Sequence, residues 1–204
     1  MNSPKNVGLI LVVMVLAVWV SAEAGSLSVV NVQAPLVNCV FHEACKVPVT
    51  DSVGNIPLPS LSGQARLQSR TIIGAAGTPG AGKTIYLYRV DLSNAWGSVE
   101  CVAGMVVNFG PVTKLSYKLG SLADVFVITS GGLGTVGIKS AVQDDDVITF
   151  EFAKLLCVGQ NPGNGVSTFF FGLASTTAPK TTTAEVFSIG STPLVEVPAR
   201  VPIH

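Results

Sequence analysis

The sequence predicts an all-β fold, an antiparallel β-sandwich of the immunoglobulin-like or jelly-roll-like kind, with a closed β-barrel as the alternative. Three observations lead there. Beyond residue 24, period-two alternation and β-branched or aromatic runs recur while helical periodicity is almost absent. Gly and Pro punctuate the gaps, as in GNIPLPS, NFGP, TSGG and QNPGNG. Nothing between the strands reads as a crossover helix, which rules against a parallel sheet.

The chain opens MNSPKNVGLILVVMVLAVWVSAEAGS, with Lys5 ahead of an apolar run from Val7 to Val20 and small residues at Ala22-Glu23-Ala24. This is the three-part layout of a secretory signal peptide, residues 1–24, cleaved before Gly25. The run is shorter than the roughly 20 residues of a membrane-spanning helix, and an uncleaved anchor is the alternative. Residues 25–60, rich in Pro, read as an irregular N-terminal arm with a short disulfide loop, although SLSVVNVQ from Ser26 has some strand character.

Residues 61–190 carry the sandwich. GQARLQSRTII from Gly63 is a further strand candidate. In TIYLYRVDL, Tyr86, Tyr88, Val90 and Leu92 share one face and Ile85, Leu87, Arg89 and Asp91 the other. CVAGMVVNF collects Cys101, Ala103, Met105, Val107 and Phe109 on one face. DVFVITS from Asp124, VITFEF from Val147, VSTFFFGLA from Val166 and TTTAEVFSI from Thr181 complete the set. In VSTFFFGLA, Phe169 and Phe171 oppose Phe170, as expected of a strand buried on both faces. The tail, residues 191–204, holds Pro193, Pro198 and Pro202, which forbid a central strand and leave an extended segment along an edge.

Charge narrows the function classes. Lys and Arg number 12, as do Asp and Glu, and removal of residues 1–24 takes Lys5 and Glu23, one of each sign. The net charge stays at zero, so no basic excess supplies the counterion release that drives nucleic-acid binding. Charged residues make up 12% of the chain against about 25% in an average globular protein. A neutral, charge-poor surface lacks the repulsion that keeps copies apart and favours self-association or packing on a matrix.

All four cysteines lie in the exported part, and an even count in an oxidising compartment reads as two disulfides. Of three connectivities the preferred one joins Cys39 to Cys45 around a tight loop and Cys101 to Cys157, each beside a strand pattern. The second bridge closes a long loop, worth on the order of 4 kcal/mol in the chain-entropy account.

Two nucleotide signatures occur and both fail on context. GTPGAGKT, Gly77 to Thr84, fits G-x-x-x-x-G-K-[ST], but a phosphate loop must open a helix, and the residues after Thr84 have the strand pattern IYLYRVDL. The expectation is a glycine-rich turn that binds no nucleotide. GLGTVG, with Gly132, Gly134 and Gly137, fits G-x-G-x-x-G, but IKSAVQDDD after it is too short and polar for a crossover helix, and it reads as a loop between antiparallel strands. With 21 glycines such matches arise readily.

Catalytic parts are scarce. Nucleophilic catalysis needs a base, usually histidine, and only His42 and His204 are available. His42 lies in CVFHEAC, where a zinc site would need both cysteines reduced. Asp144, Asp145 and Asp146, with Glu151 and Asp124, could support carboxylate-dependent hydrolysis, but QDDD suits a turn before a strand. The three aspartates are also calcium candidates, although the D-x-[DN]-x-[DN]-G spacing is missing. Trp96, Tyr86 and Tyr88 could stack on sugar rings if exposed, or fill the core.

CVGQNPGNGVSTFFFGLAS, LYRVDLSNAWGSVECV and VITSGGLGTVG resemble segments of uncharacterised secreted bacterial proteins of β-rich type, over Leu87 to Ser175. The resemblance implies an exported, cysteine-linked β-domain and no catalytic motif. The expected protein is a non-enzymatic component of the extracellular space or cell surface, or of the periplasm. It uses no cofactor and serves in structure or adhesion, with further copies of itself, an extracellular matrix or a glycan as partner. A carbohydrate-binding module and a secreted carboxylate-dependent hydrolase are the alternatives.

Overall fold

Fourteen strands and one short helix form in the computed structural model, which describes residues 24–58, 61–97, 100–118, 120–188 and 191–204. The expected signal peptide, apart from Ala24, lies outside the described residues. In chain order the elements are β1 (Gly25–Ser26), β2 (Val29–Gln33), α1 (Ala34–Phe41), β3 (Thr50–Ile56), β4 (Leu61–Ile73), β5 (Thr84–Gly97), β6 (Cys101–Asn108) and β7 (Leu115–Lys118). The later ones are β8 (Ser121–Ala123), β9 (Val125–Ser130), β10 (Ile138–Asp144), β11 (Val147–Cys157), β12 (Phe171–Ser175), β13 (Pro179–Ser188) and β14 (Ser191–Pro202).

Two six-stranded sheets pack face to face, one ordered β1-β10-β11-β6-β13-β14 and the other β2-β9-β12-β5-β4-β3. The fold is an all-β sandwich and not a closed barrel. β5 shows why. Its Tyr86, Tyr88, Val90 and Leu92 point into the core between the sheets, where they meet Met105, Val107, Phe150 and Phe171. Its Ile85 and Leu87 point the other way into a second apolar layer, with Phe126, Ile128 and Phe170. That outer layer is roofed by Val37, Val40 and Phe41 of α1 and by Leu115, Tyr117 and Ala123 of the small β7–β8 sheet. β12, between β9 and β5, is buried along its whole length, as VSTFFFGLA anticipates. The regular strand begins only at Phe171; Ser167 and Thr168 make isolated bridges to Asp91 and Val136.

The segment expected to be an irregular arm is built into the sandwich. β1 pairs with β10, the chain crosses between the sheets at Leu27 and Ser28, and β2 pairs with β9. β3 then forms the opposite edge of the second sheet. α1 escapes the sequence reading because it is eight residues long, has Pro near its start and lacks a side-chain cap at Gln33. The tail is β14, an edge strand on β13, as its prolines require. β14 also reaches the second sheet: Arg200 N–H donates to Ser69 Oγ at 2.7 Å, and Tyr88 Oη donates to Arg200 O at 2.8 Å.

Two further expectations change. On β6, Val102 joins the core in place of Ala103, while Met105, Val107 and Phe109 face inward as expected. Ala103 instead borders a groove on the outer face. A bulge in the pairing with β11 between Glu151 and Leu156 shifts the alternation there. GLGTVG does not lie between two paired antiparallel strands. It carries the chain from β9 in one sheet to β10 in the other.

Candidate functional site

The phosphate-loop match is a turn from β4 to β5. Most of its amides are spent on backbone carbonyls: Gly74 N–H donates to Lys83 O, Thr78 to Ala75 O, Ala81 to Thr78 O and Lys83 to Gly80 O, all within 3.3 Å. Ala75 and Gly80 N–H donate to Phe41 O and Val40 O, which pins the turn to the end of α1. Lys83 Nζ folds back on Ala81 O at 3.3 Å. A phosphate cradle needs amides converging on an empty point, and this arrangement turns them inward.

The sugar-stacking row does not assemble. Tyr86 and Tyr88 are fully buried, with Oη donating to Thr177 O and Arg200 O. Burial pushes the Tyr86 hydroxyl up to about 12 and the Tyr88 hydroxyl well above its ordinary value. Each ring gains about 1.5–3 kcal/mol from burial. One stacking contact is worth about 0.5–1.5 kcal/mol and would not draw it out. Trp96 alone stays half-exposed, near the end of β5.

Asp144, Asp145 and Asp146 form the β10–β11 turn, with Asp145 at φ 50. Their backbone carbonyls are in use, Asp145 O accepting from Gln143 Nε2 and Asp146 O from the amides of Phe109 and Gly110. Among the described residues no three His, Cys, Asp or Glu side chains converge as a metal site, so the structure gives the calcium assignment no cage. Disulfides join Cys39 to Cys45 and Cys101 to Cys157. With both sulfurs oxidised, the zinc alternative at His42 has no thiolates, and His42 Nδ1 accepts the Ala44 N–H. No protein family, curated protein or solved structure matches this chain.

Four carboxylates, those of Asp51, Asp91, Asp124 and Glu151, are held by partners. Asp51 Oδ1 lies 2.6 Å from Arg70 Nε, and Asp91 Oδ2 lies 2.9 Å from Arg89 Nη1. Glu151, on the outer face of the first sheet, takes hydrogen bonds from Lys139 Nζ and Ser140 Oγ, which hold its carboxyl below the usual range. A general acid needs the opposite shift. Asp124 is buried at the sheet crossing, where its Oδ2 accepts from Ser28 N–H at 2.9 Å and Ser28 Oγ at 2.7 Å and lies 3.5 Å from Lys114 Nζ.

Sequence reasoning passed over two features. On the outer face of the second sheet a groove of about 340 Å³ runs beneath Val47 and Val49, floored by Ile72, Leu87 and Phe170. The Arg70 guanidinium stacks 4.4 Å from the Phe170 ring centroid. Arg89, nearly buried beside them, is tied to Gln68, Asp91 and Ser167, so this cation serves the fold. The second feature is the set of sheet edges. β1, β2, β3 and β14 are the four edge strands of the two six-stranded sheets, and three of them come from residues 25–33 and 191–202. Only the prolines of the tail signalled this. The two disulfides fit an oxidising compartment. No helix among the described residues is long and apolar enough to cross a membrane.

Proposed function

We propose that this chain is a secreted, non-enzymatic structural or surface component that associates with further copies of itself. The observation that carries the reading is the provenance of the edges: three of the four edge strands of the two six-stranded sheets come from two segments outside the central run of strands. Edge strands present unpaired backbone groups and are where β-proteins join. The outer face of the first sheet supports it, with Val142, Val147 and Leu155 exposed on a chain that is only 12% charged. Sedimentation velocity and negative-stain electron microscopy of the exported protein test it. Concentration-dependent oligomers or filaments are expected, and a monomer at every concentration overturns the reading.

A further inference from the structure

Building on the self-association reading, we infer that Gly25–Gln33 is an exchangeable double strand, which in the assembly occupies in a second copy the place it holds in its own. The place is well defined. Gly25 and Ser26 pair with Gln143 and Val142 of β10, Leu27 N–H donates to Ala141 O, and Val29 to Val32 pair with Val125 to Ile128 of β9. Every one of these partners lies about 100 residues further along the chain, in the body of the sandwich. A second copy offers the same partners in the same geometry.

Three observations say that this segment, and no other edge, is the one that moves. First, the body keeps its core without it. No residue of 25–33 belongs to the fully buried set between the sheets, where Leu27 and Val29 only pack against the margin; Val32 alone is buried, in the outer layer. Second, β2·β9 is the one parallel pairing among the named strands, and parallel ladders hold less tightly per residue than antiparallel ones. Third, a hinge is present. Gln33 is extended, with φ −96 and ψ 138, and makes no side-chain cap to α1. Pro35 in the first turn has no N–H to lose. Immediately beyond, the chain is fixed, because Val37, Val40 and Phe41 are buried and Cys39 is bonded to Cys45. Freedom therefore begins N-terminal to Pro35 and covers both strands of the segment. Reciprocal exchange closes a two-fold dimer, and exchange passed from copy to copy runs on as a filament.

Ser26 and Val142 are register partners and both exposed, so they report who pairs with whom. Two full-length chains, one carrying Ser26→Cys and the other Val142→Cys, are unfolded, co-refolded as a mixture and oxidised, and the links are mapped by mass spectrometry. An interchain bond between positions 26 and 142 is expected in the oligomeric fraction and in neither variant alone. Oligomers that lack this bond overturn the exchange while leaving self-association in place. Monomers throughout overturn both. The double variant Ser26→Cys/Val142→Cys checks the fold and locks the segment in its own chain. Its intrachain bond should abolish assembly, while each single variant assembles like the unchanged chain, and undiminished oligomers from the locked chain overturn the exchange.

Discussion

Ser28 and Asp124 stand 96 positions apart and grip each other through both backbone and side chain. Ser28 Oγ donates to Asp124 Oδ2 at 2.7 Å and accepts the Asp124 N–H at 3.0 Å, while the Val125 N–H donates to Ser28 O. The pair sits where the chain crosses from one sheet to the other. Asp124→Ala removes a buried charged acceptor of two hydrogen bonds, and Ser28 is exposed enough for water to take over its donors. The expected loss is about 1–2 kcal/mol. Urea unfolding gives the magnitude. Hydrogen exchange should show faster opening at residues 29–33 and 125–128 and little change at β5; a uniform change across the sandwich would contradict a local clasp.

Tyr88 and Tyr117 are both buried, yet they should answer oppositely to loss of the hydroxyl. Tyr88 Oη donates to Arg200 O, linking β5 to β14, and Tyr88→Phe should cost about 1 kcal/mol. Tyr117 Oη has no partner among the described residues. Tyr117→Phe removes a desolvated, unpaired group and should be neutral or stabilising by up to about 1 kcal/mol. Paired denaturation curves decide the sign.

Alkaline pH should unfold the protein through its tyrosines. All three, Tyr86, Tyr88 and Tyr117, are buried, and burial raises each hydroxyl above its ordinary value, Tyr86 to about 12. The folded state then holds protons that the unfolded chain releases near pH 10, so stability is complete below pH 10 and falls as pH rises towards 12. Each tyrosine contributes a slope of about 1.4 kcal/mol per pH unit in that window. Phenolate absorbance should stay flat through pH 10 and appear together with unfolding; a titration near pH 10 with native structure retained would refute the assignment.

The two disulfides should differ in weight. Cys101 and Cys157 face each other across β6 and β11 and close a 56-residue separation, so replacing both by Ala should cost about 4 kcal/mol. Cys39–Cys45 spans a separation of six, and its loss should cost about 2 kcal/mol. Thermal unfolding of the two double variants ranks them, and equal losses would point to residual structure in the unfolded chain.

ATP with magnesium should give no heat in a calorimetric titration, and Lys83→Ala should leave thermal stability nearly unchanged, since among the described residues Lys83 Nζ makes only the contact with Ala81 O. Micromolar binding lost in that variant would reverse the assignment of the turn.

Alternation alone made β5 legible, down to which residues share a face. It could not say that both faces are covered. The cover over Ile85 and Leu87 comes from α1 and the β7–β8 sheet, remote in sequence, and that gap left both readings of Tyr86 and Tyr88 open, sugar stacking and core filling. The prolines of residues 191–204 announced an edge because proline has no amide to give a second neighbour. The N-terminal edge had no such marker. Its pairing with β9 and β10 spans about 100 residues, and the grip of Asp124 on Ser28 has no local signature at all.

The turn between β4 and β5 bears on how such chains are searched. Gly77 and Gly82, the two glycines that complete the nucleotide pattern, stand at φ 83 and φ 69, where any other residue is strained. Thr84, the last letter of the match, is buried as the first residue of β5, opposite Ile73. Local structure thus demands three of the pattern's four fixed letters or their like, for reasons unconnected with phosphate. A chain with this turn will keep resembling an ATPase to any search that stops at Thr84, and reading five residues further, into alternating IYLYR, removes the error.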